Sequence, residues 1–116
     1  MNLARGYPRY NPGEFSAGEL LARREADAVL LIGSSRIASF PRAALDYLQT
    51  IPTILLDHAQ AIPPLEPTVR VTTAIYGIHR HGTAYRMDEV PILLRPILTS
   101  ASPSDGEVIR AIEADL

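Results

Sequence analysis

The 116-residue sequence has no cysteine and no lysine. The absence of cysteine excludes disulfides, a thiolate nucleophile and any metal or iron–sulfur site held by cysteine. The absence of lysine excludes Schiff-base chemistry and the lysine-bearing phosphate loop. The eleven basic residues are therefore all arginine, and thirteen carboxylates bring the formal net charge to −2.

Long apolar runs and a basic surface stripe are also missing. No stripe of basic residues interleaved with aromatic ones appears, so we expect no nucleic-acid partner. The longest apolar runs are far too short to span a bilayer, and the first residues lack the pattern of a secretion signal. These features predict a cytoplasmic protein without a membrane partner.

The middle of the chain has the pattern of a strand–helix–strand unit. Ala28–Ile32 is an apolar run without alternation, which is typical of a strand covered on both faces. A helix-like segment, Arg42–Gln49, and a second apolar run, Thr53–Leu56, follow it. Such a unit indicates two parallel strands within one domain spanning residues 1–116.

The flanking segments complete the prediction. Residues 1–15 are expected to form an ordered loop over a hydrophobic surface, and Ser16 to begin a helix through a capping box with Glu19. Thr68–Tyr76 reads as a third strand. We further expect a hairpin of Thr83–Arg86 and Val90–Arg95, and a last helix capped by Ser102, with an apolar stripe of Val108, Ile109, Ile112 and Leu116. The predicted class is α/β, in three layers, with a mostly parallel sheet and a small C-terminal β-hairpin extension.

A ligand of such a sheet is expected beyond the carboxyl ends of its strands. Those ends are the turn Gly33, Ser34, Ser35, Arg36 and the pair Asp57, His58. The turn suits a phosphate, through backbone N–H groups and hydroxyls, but glycine and serine are equally common in purely structural turns. A hydrolase triad of Ser34, His58 and Asp57 is disfavoured, because neighbouring residues at a strand end are expected to point to opposite sides.

Two further clusters of polar residues can be explained either by a functional role or by a purely structural one. His79 and His81 would share one face of a strand, but a metal needs a third ligand such as His58 or Asp57, and nothing in the sequence brings these together. Solvated or hydrogen-bonded histidines are favoured. The group Tyr85–Asp88 either orients a substrate or closes a hairpin, and the hairpin is favoured.

Three stretches resemble the B subunit of formylmethanofuran dehydrogenase. They are Arg5–Phe15 (RGYPRYNPGEF), Ala26–Ser34 (ADAVLLIGS) followed by Phe40-Pro41, and Gly82–Asp88 (GTAYRMD) with Val90-Pro91-Ile92. The first and third are long and unusual, and their spacing covers nearly the whole chain. A related B subunit occurs in the formyltransferase/hydrolase complex of bacteria that oxidise one-carbon compounds.

The resemblance implies a fold, a cofactor and partners. These B subunits are similar to molybdopterin oxidoreductases, whose Rossmann-like domains hold pterin guanine dinucleotides of molybdenum or tungsten. The cluster cysteines and the metal ligand lie in an earlier part of that larger protein. The resemblance therefore implies a C-terminal, Rossmann-like domain that is not an enzyme on its own, with the other subunits of the complex, or a second copy, as partners.

Departures from the family pattern fall in the predicted ligand turns. Gly33-Ser34-Ser35-Arg36 stands where the family tends to have Gly-Ser-Asp-Pro, and Asp57-His58-Ala59 where it has Asp-Pro-His. These changes predict a domain that binds no cofactor itself. The alternative is a small binding module that still holds a pterin or guanine dinucleotide phosphate through the two turns. An autonomous hydrolase using Ser34 is less favoured.

Overall fold

The computed structural model describes residues 6–7, 11 and 13–115. Its elements are α1 (Ala17–Ala22), β1 (Val29–Ile32), a 3₁₀ turn (Ile37–Ser39), α2 (Arg42–Leu48), β2 (Thr53–Asp57), β3 (Val69–Thr72), β4 (Gly82–Tyr85), β5 (Pro91–Leu94) and α3 (Asp105–Ala114). The first three strands form a parallel sheet in the order β1-β2-β3, and β4 pairs with β5 as an antiparallel hairpin. The predicted α/β class is thus confirmed.

The chain divides into two compact units. The first comprises the described residues of Met1–Leu55 and Ile62–Arg70, and the second those of Leu56–Ala61 and Val71–Leu116. The first unit holds both early helices. The second holds the hairpin and α3.

Helices α1 and α2 supply the core of the first unit. Leu21 from α1 packs with Ile37, Ala44 and Leu48, and all four are buried. Ala44 and Leu48 lie four residues apart, so they share one face of α2, as the sequence predicts. Gly18 permits a close approach, because a Cβ at this position would lie 2.9 Å from the Cδ of Pro41.

The ends of α1 differ from the expectation in one respect. Ser16 occupies the N-cap position, but its side chain makes no capping hydrogen bond, so the predicted capping box with Glu19 is wrong. At the other end the N–H of Glu25 donates to the Leu20 carbonyl and that of Arg24 to the Leu21 carbonyl. This is a Schellman ending, and Arg24 takes the left-handed position (φ 57°) that glycine usually fills.

Strand β1 contradicts the expectation of a strand covered on both faces. Val29 and Leu31 are half-buried and pack on the core of the first unit, whereas Leu30 and Ile32 are 45% and 55% exposed. β1 lies at an edge of the sheet, and β2 is the central strand, with Leu55 and Leu56 fully buried. An unbroken apolar run therefore marks both strands, although only β2 is enclosed within this chain.

Strand β3 is shorter than predicted. It ends at Thr72, after which the amide of Ala74 donates to the Pro103 carbonyl at 2.7 Å, and Ile75 accepts hydrogen bonds from the next turn. Helix α3 also begins later than expected. Its N-cap is Ser104, not Ser102.

Other expectations fall on the loops. Most of residues 1–15 lie outside the described part of the chain, so the predicted N-terminal loop is untested, although Phe15 is buried and Tyr7 is exposed. The proline-rich segment 58–67 contains no helix. In the described part of the chain no helix has the length and apolar character to cross a membrane.

Candidate functional site

The turn after β1 is built around the backbone of Gly33. Its φ is +78°, in the left-handed region that residues with a side chain rarely adopt. A Cβ here would meet no atom within 4 Å, so the glycine is required by the backbone conformation and not by crowding. The space in front of the turn is open to an approaching group.

The next three residues of the turn have different surroundings. Ser34 is only 6% exposed, and its carbonyl accepts the N–H of Ile37 at 3.1 Å, which begins the 3₁₀ turn. Ser35 and Arg36 are exposed, and Arg36 forms no ion pair within the described residues. The turn thus offers an exposed guanidinium and hydroxyl to an anion. The burial of Ser34 argues against a serine nucleophile, which must reach its substrate.

Asp57 and His58 end the central strand, and the structure brings their side chains together. The carboxylate of Asp57 accepts the backbone N–H of His58 at 2.8 Å, and the same oxygen lies 3.9 Å from the imidazole Nε2. The expectation that the two side chains point to opposite sides is therefore wrong. It fails because the Asp57 carboxylate, 8% exposed, folds back over the amide that follows it.

The candidate ligand residues thus fall into two groups. Gly33, Ser34, Ser35 and Arg36 belong to the first compact unit, and Asp57 and His58 to the second. Within each group the residues are contiguous in sequence.

The two later histidines do not share a strand face. His79 lies in a turn, and its Nδ1 accepts the backbone N–H of Ile75 at 3.2 Å. His81 is exposed and precedes β4. The disfavoured alternative, in which both histidines would share one face of a strand, does not hold, because the chain turns at Gly77, whose φ is +79°. A hydrogen-bonded structural role for His79 is the alternative that the structure supports.

The segment Tyr85–Asp88 closes the hairpin. The N–H of Arg86 donates to the Val90 carbonyl at 3.0 Å, and the Arg86 side chain pairs with the Asp88 carboxylate. The guanidinium hydrogen bond holds the pKa of Asp88 below its ordinary value. These contacts support the hairpin alternative over a substrate-orienting role.

A cleft between α1 and α2 has no signal in the sequence. It has a volume of about 620 Å³, and Arg24, Asp46, Tyr47 and Thr50 supply its polar lining. The guanidinium of Arg24 lies 5.6 Å from the centre of the Tyr47 ring, whose hydroxyl donates to the Ala26 carbonyl. Arg24 is far in sequence from the α2 residues of this lining, and no spacing rule connects them.

The donor atoms present fit a phosphate better than a metal. Within the described residues no three His, Asp or Glu side chains come together, and the sequence has no cysteine. Ser35, Arg36 and the backbone at Gly33 are hydrogen-bond donors of the kind that bind phosphate.

Together these elements make a small α/β chain with an exposed serine and an exposed arginine in the turn after its first strand. No family model matches the chain. The B subunit of tungsten-containing formylmethanofuran dehydrogenase 2 from Methanocaldococcus jannaschii is 42% identical over 106 residues, which is 91% of this chain and 24% of the relative. The protein of the same name from Methanococcus maripaludis is 34% identical over 114 residues, which is 97% of this chain and 26% of that relative.

The resemblance in the sequence motifs is thereby confirmed. The chain is a homologue of one segment of the formylmethanofuran dehydrogenase B subunit. It spans about a quarter of the length of the curated relatives that it matches. Both relatives are named as subunits of a tungsten-containing enzyme.

Proposed function

We propose that this chain is a non-catalytic, C-terminal and Rossmann-like domain of a protein related to the formylmethanofuran dehydrogenase B subunit. Its role is to act as a scaffold within a cytoplasmic one-carbon complex that transfers or oxidises a formyl group. The partners are the other subunits of that complex. The metal and its pterin guanine dinucleotide are held by parts of the larger protein.

The observation that carries this proposal is the match of 91–97% of the chain to only 24–26% of each relative. We therefore infer that this segment is a structural part of a larger protein, and that catalysis depends on other parts of that protein. The lack of cysteine and of any metal-competent cluster in the described residues supports a non-catalytic role. The burial of Ser34 supports it against the hydrolase alternative.

A segment exchange tests the scaffold role. In Methanococcus maripaludis, the matched 114-residue segment of the B subunit is replaced by this chain, and an affinity tag is placed on the altered protein. We expect the exchanged subunit to co-purify with the same companion subunits as the unaltered protein. If the unaltered subunit assembles and the exchanged one does not, the scaffold proposal is wrong.

A second candidate function is favoured by the turn at Gly33. Its open space, the exposed Ser35 and the exposed Arg36 suit the phosphate of a pterin or guanine nucleotide. On this proposal the domain keeps a weak nucleotide site.

Calorimetric titration separates the two candidates. With guanosine diphosphate as the probe, the binding module predicts measurable heat at millimolar nucleotide and a loss of affinity of about tenfold in Arg36→Ala, as expected when a charge-assisted hydrogen bond is removed. Arg42→Ala is the control, because Arg42 is also exposed but pairs with Asp46. Absence of heat removes this candidate.

A further inference from the structure

The hairpin of the second unit has an apolar outer face. The register pairs Thr83 with Leu93 and Tyr85 with Pro91, and directly opposed residues project to the same side of a sheet. All four residues are exposed, Tyr85 to 72% and Leu93 to 62%. We call Thr83, Tyr85, Pro91 and Leu93 the outer face.

The opposite side of the hairpin is held within its own unit. A Cβ at Gly82 would lie 2.9 Å from Cδ1 of Tyr76, and one at Gly77 would lie 3.4 Å from the Cβ of Leu94. The amides of Ile97 and Leu98 both donate to the Ile78 carbonyl just beyond β5. The hairpin is therefore anchored by its inner side, and the outer face is directed away from these contacts.

The two edges of the hairpin differ in hydrogen-bonding capacity. The Arg86 amide donates to Val90, and bonded and non-bonded pairs alternate along an antiparallel ladder. The pairs Thr83–Leu93 and Tyr85–Pro91 are therefore the non-bonded ones, whose backbone groups point to the edges. On the β4 edge, Thr83 and Tyr85 each present a backbone N–H and a backbone C=O. On the β5 edge, Pro91 has no N–H and can only accept hydrogen bonds.

The second unit buries little apolar surface of its own. Among the described residues its buried apolar side chains are Leu56 and Ala74, and none of α3 is buried. The first unit buries six, namely Phe15, Leu21, Ile37, Ala44, Leu48 and Leu55. A two-stranded hairpin is marginal in water without a surface to pack on. The second unit thus buries its apolar side chains poorly with its own described residues.

The relatives indicate a source of apolar cover for this unit. Nearly all of this chain aligns with them, yet about three quarters of each relative lies outside the matched segment. In those proteins the matched segment is covalently joined to this additional polypeptide, which is therefore always close to it. A second copy of the chain would be the remaining source of an apolar cover and an unpaired strand.

We propose that the outer face and the β4 edge dock onto the part of the larger polypeptide that lies outside the matched segment. Tyr85 and Leu93 enter an apolar surface there, and an unpaired strand of that part adds to the sheet alongside β4. The proposal rests on the scaffold function above, and it names the surface through which the scaffold is held.

The exchanged Methanococcus maripaludis protein provides the test. Leu93→Glu and Tyr85→Glu place a charge on the outer face, and Ile62→Glu is the matched control, because Ile62 is 94% exposed on a loop of the first unit. Circular dichroism of the isolated chains verifies that all three variants stay folded. Assembly is then measured by co-purification, and backbone hydrogen exchange is measured over residues 82–94.

We expect the wild-type exchanged subunit to assemble, with exchange at Thr83 and Tyr85 at least about tenfold slower than in the isolated chain. Both outer-face variants should lose assembly by about tenfold or more, while Ile62→Glu keeps it. If wild type and the outer-face variants assemble equally, the docking surface is wrong and the scaffold function stands. If the isolated chain forms a dimer that Leu93→Glu abolishes, a second copy is the occupant and the proposal is overturned. Failure of the wild-type exchange alone contradicts the scaffold function.

Discussion

Ser104 and Glu107 hold the start of α3 by a reciprocal exchange of hydrogen bonds. The Ser104 backbone N–H donates to Oε2 of Glu107 at 2.6 Å, and its hydroxyl contacts the same oxygen at 2.9 Å. In return the Glu107 N–H donates to the Ser104 hydroxyl oxygen at 3.3 Å. The pKa of Glu107 lies below its ordinary value, chiefly because the Ser104 N–H stabilises the ionised carboxylate.

This contact predicts an acid-sensitive contribution to stability. Because the folded-state pKa of Glu107 is lowered, its stabilisation is present above the ordinary value of 4.5 and is lost as the pH falls through the folded value. Glu107→Gln should therefore lower the urea midpoint near neutral pH and match wild type in strong acid. Ser104→Ala is the comparison: it costs about 1 kcal/mol through the lost hydroxyl, and it keeps only the part of the pH dependence that comes from the backbone N–H, because the hydroxyl also lowers the pKa of Glu107. If the difference in urea midpoint between wild type and Glu107→Gln did not change with pH, the ionised Glu107 carboxylate would not be the source of this stabilisation.

The left-handed backbone at Gly33 predicts a cost for any side chain. Gly33→Ala should lower the free energy of unfolding by about 1–2 kcal/mol, because its Cβ is strained although no neighbour lies within 4 Å. Gly33→Asn should cost less, since asparagine tolerates this conformation better. Urea denaturation of the three proteins measures the order. Equal stability of Gly33→Ala and wild type would show that the turn has another conformation in solution.

The close approach at Gly18 predicts overpacking. In Gly18→Ala the new methyl group would lie 2.9 Å from Cδ of Pro41, whose ring cannot rotate away. We expect the clash to lower the free energy of unfolding by about 1–3 kcal/mol. The higher helix propensity of alanine offsets roughly 1 kcal/mol of this loss. Gly106→Ala in α3 is the control, because its Cβ would meet nothing closer than 3.5 Å. If both variants are stabilised, α1 and the Pro41 segment are further apart than described.

Two leucines test the assignment of core and edge. Leu48 on α2 is 1% exposed, so Leu48→Ala should cost about 2–5 kcal/mol. Leu30 on β1 is 45% exposed, and Leu30→Ala should cost less than about 1.5 kcal/mol in the isolated chain. Thermal and urea unfolding of both variants give the comparison. A larger loss at Leu30 would place β1 inside the sheet and restore the prediction of a strand covered on both faces.

The sequence predicts the elements of this chain well where local signals decide. The strand at Val29–Ile32, the helix at Arg42–Leu48 and the hairpin were all expected from local sequence patterns. The motifs at Gly82–Asp88 and near Gly33 also identify the relatives correctly. These features depend on residues within a few positions of each other.

The errors arise where distant contacts decide. Ser102 and Ser104 both have an acidic residue three positions later, and neither spacing indicates that the Pro103 carbonyl accepts the distant Ala74 amide or that Ser104 is the N-cap. An apolar run at an edge looks the same as one in the centre, so the exposure of Leu30 could not be read from β1 itself. The candidate site was predicted from strand ends alone. Its ligand role stays a prediction. The hydrogen bond from the His58 amide to the Asp57 carboxylate gives Asp57 a structural role as well.

Pro91 also limits how far the β4–β5 hairpin can be extended by added strands. Fibrils grow when each added strand exposes a fresh edge equivalent to the one it covered. The hairpin offers a complete edge on β4 only, since the proline interrupts the donors on the other side. One strand can therefore be added, but the resulting sheet has no equivalent edge from which to continue. The β4 edge can thus accept one strand, and Pro91 on the other edge protects the hairpin from open-ended polymerisation.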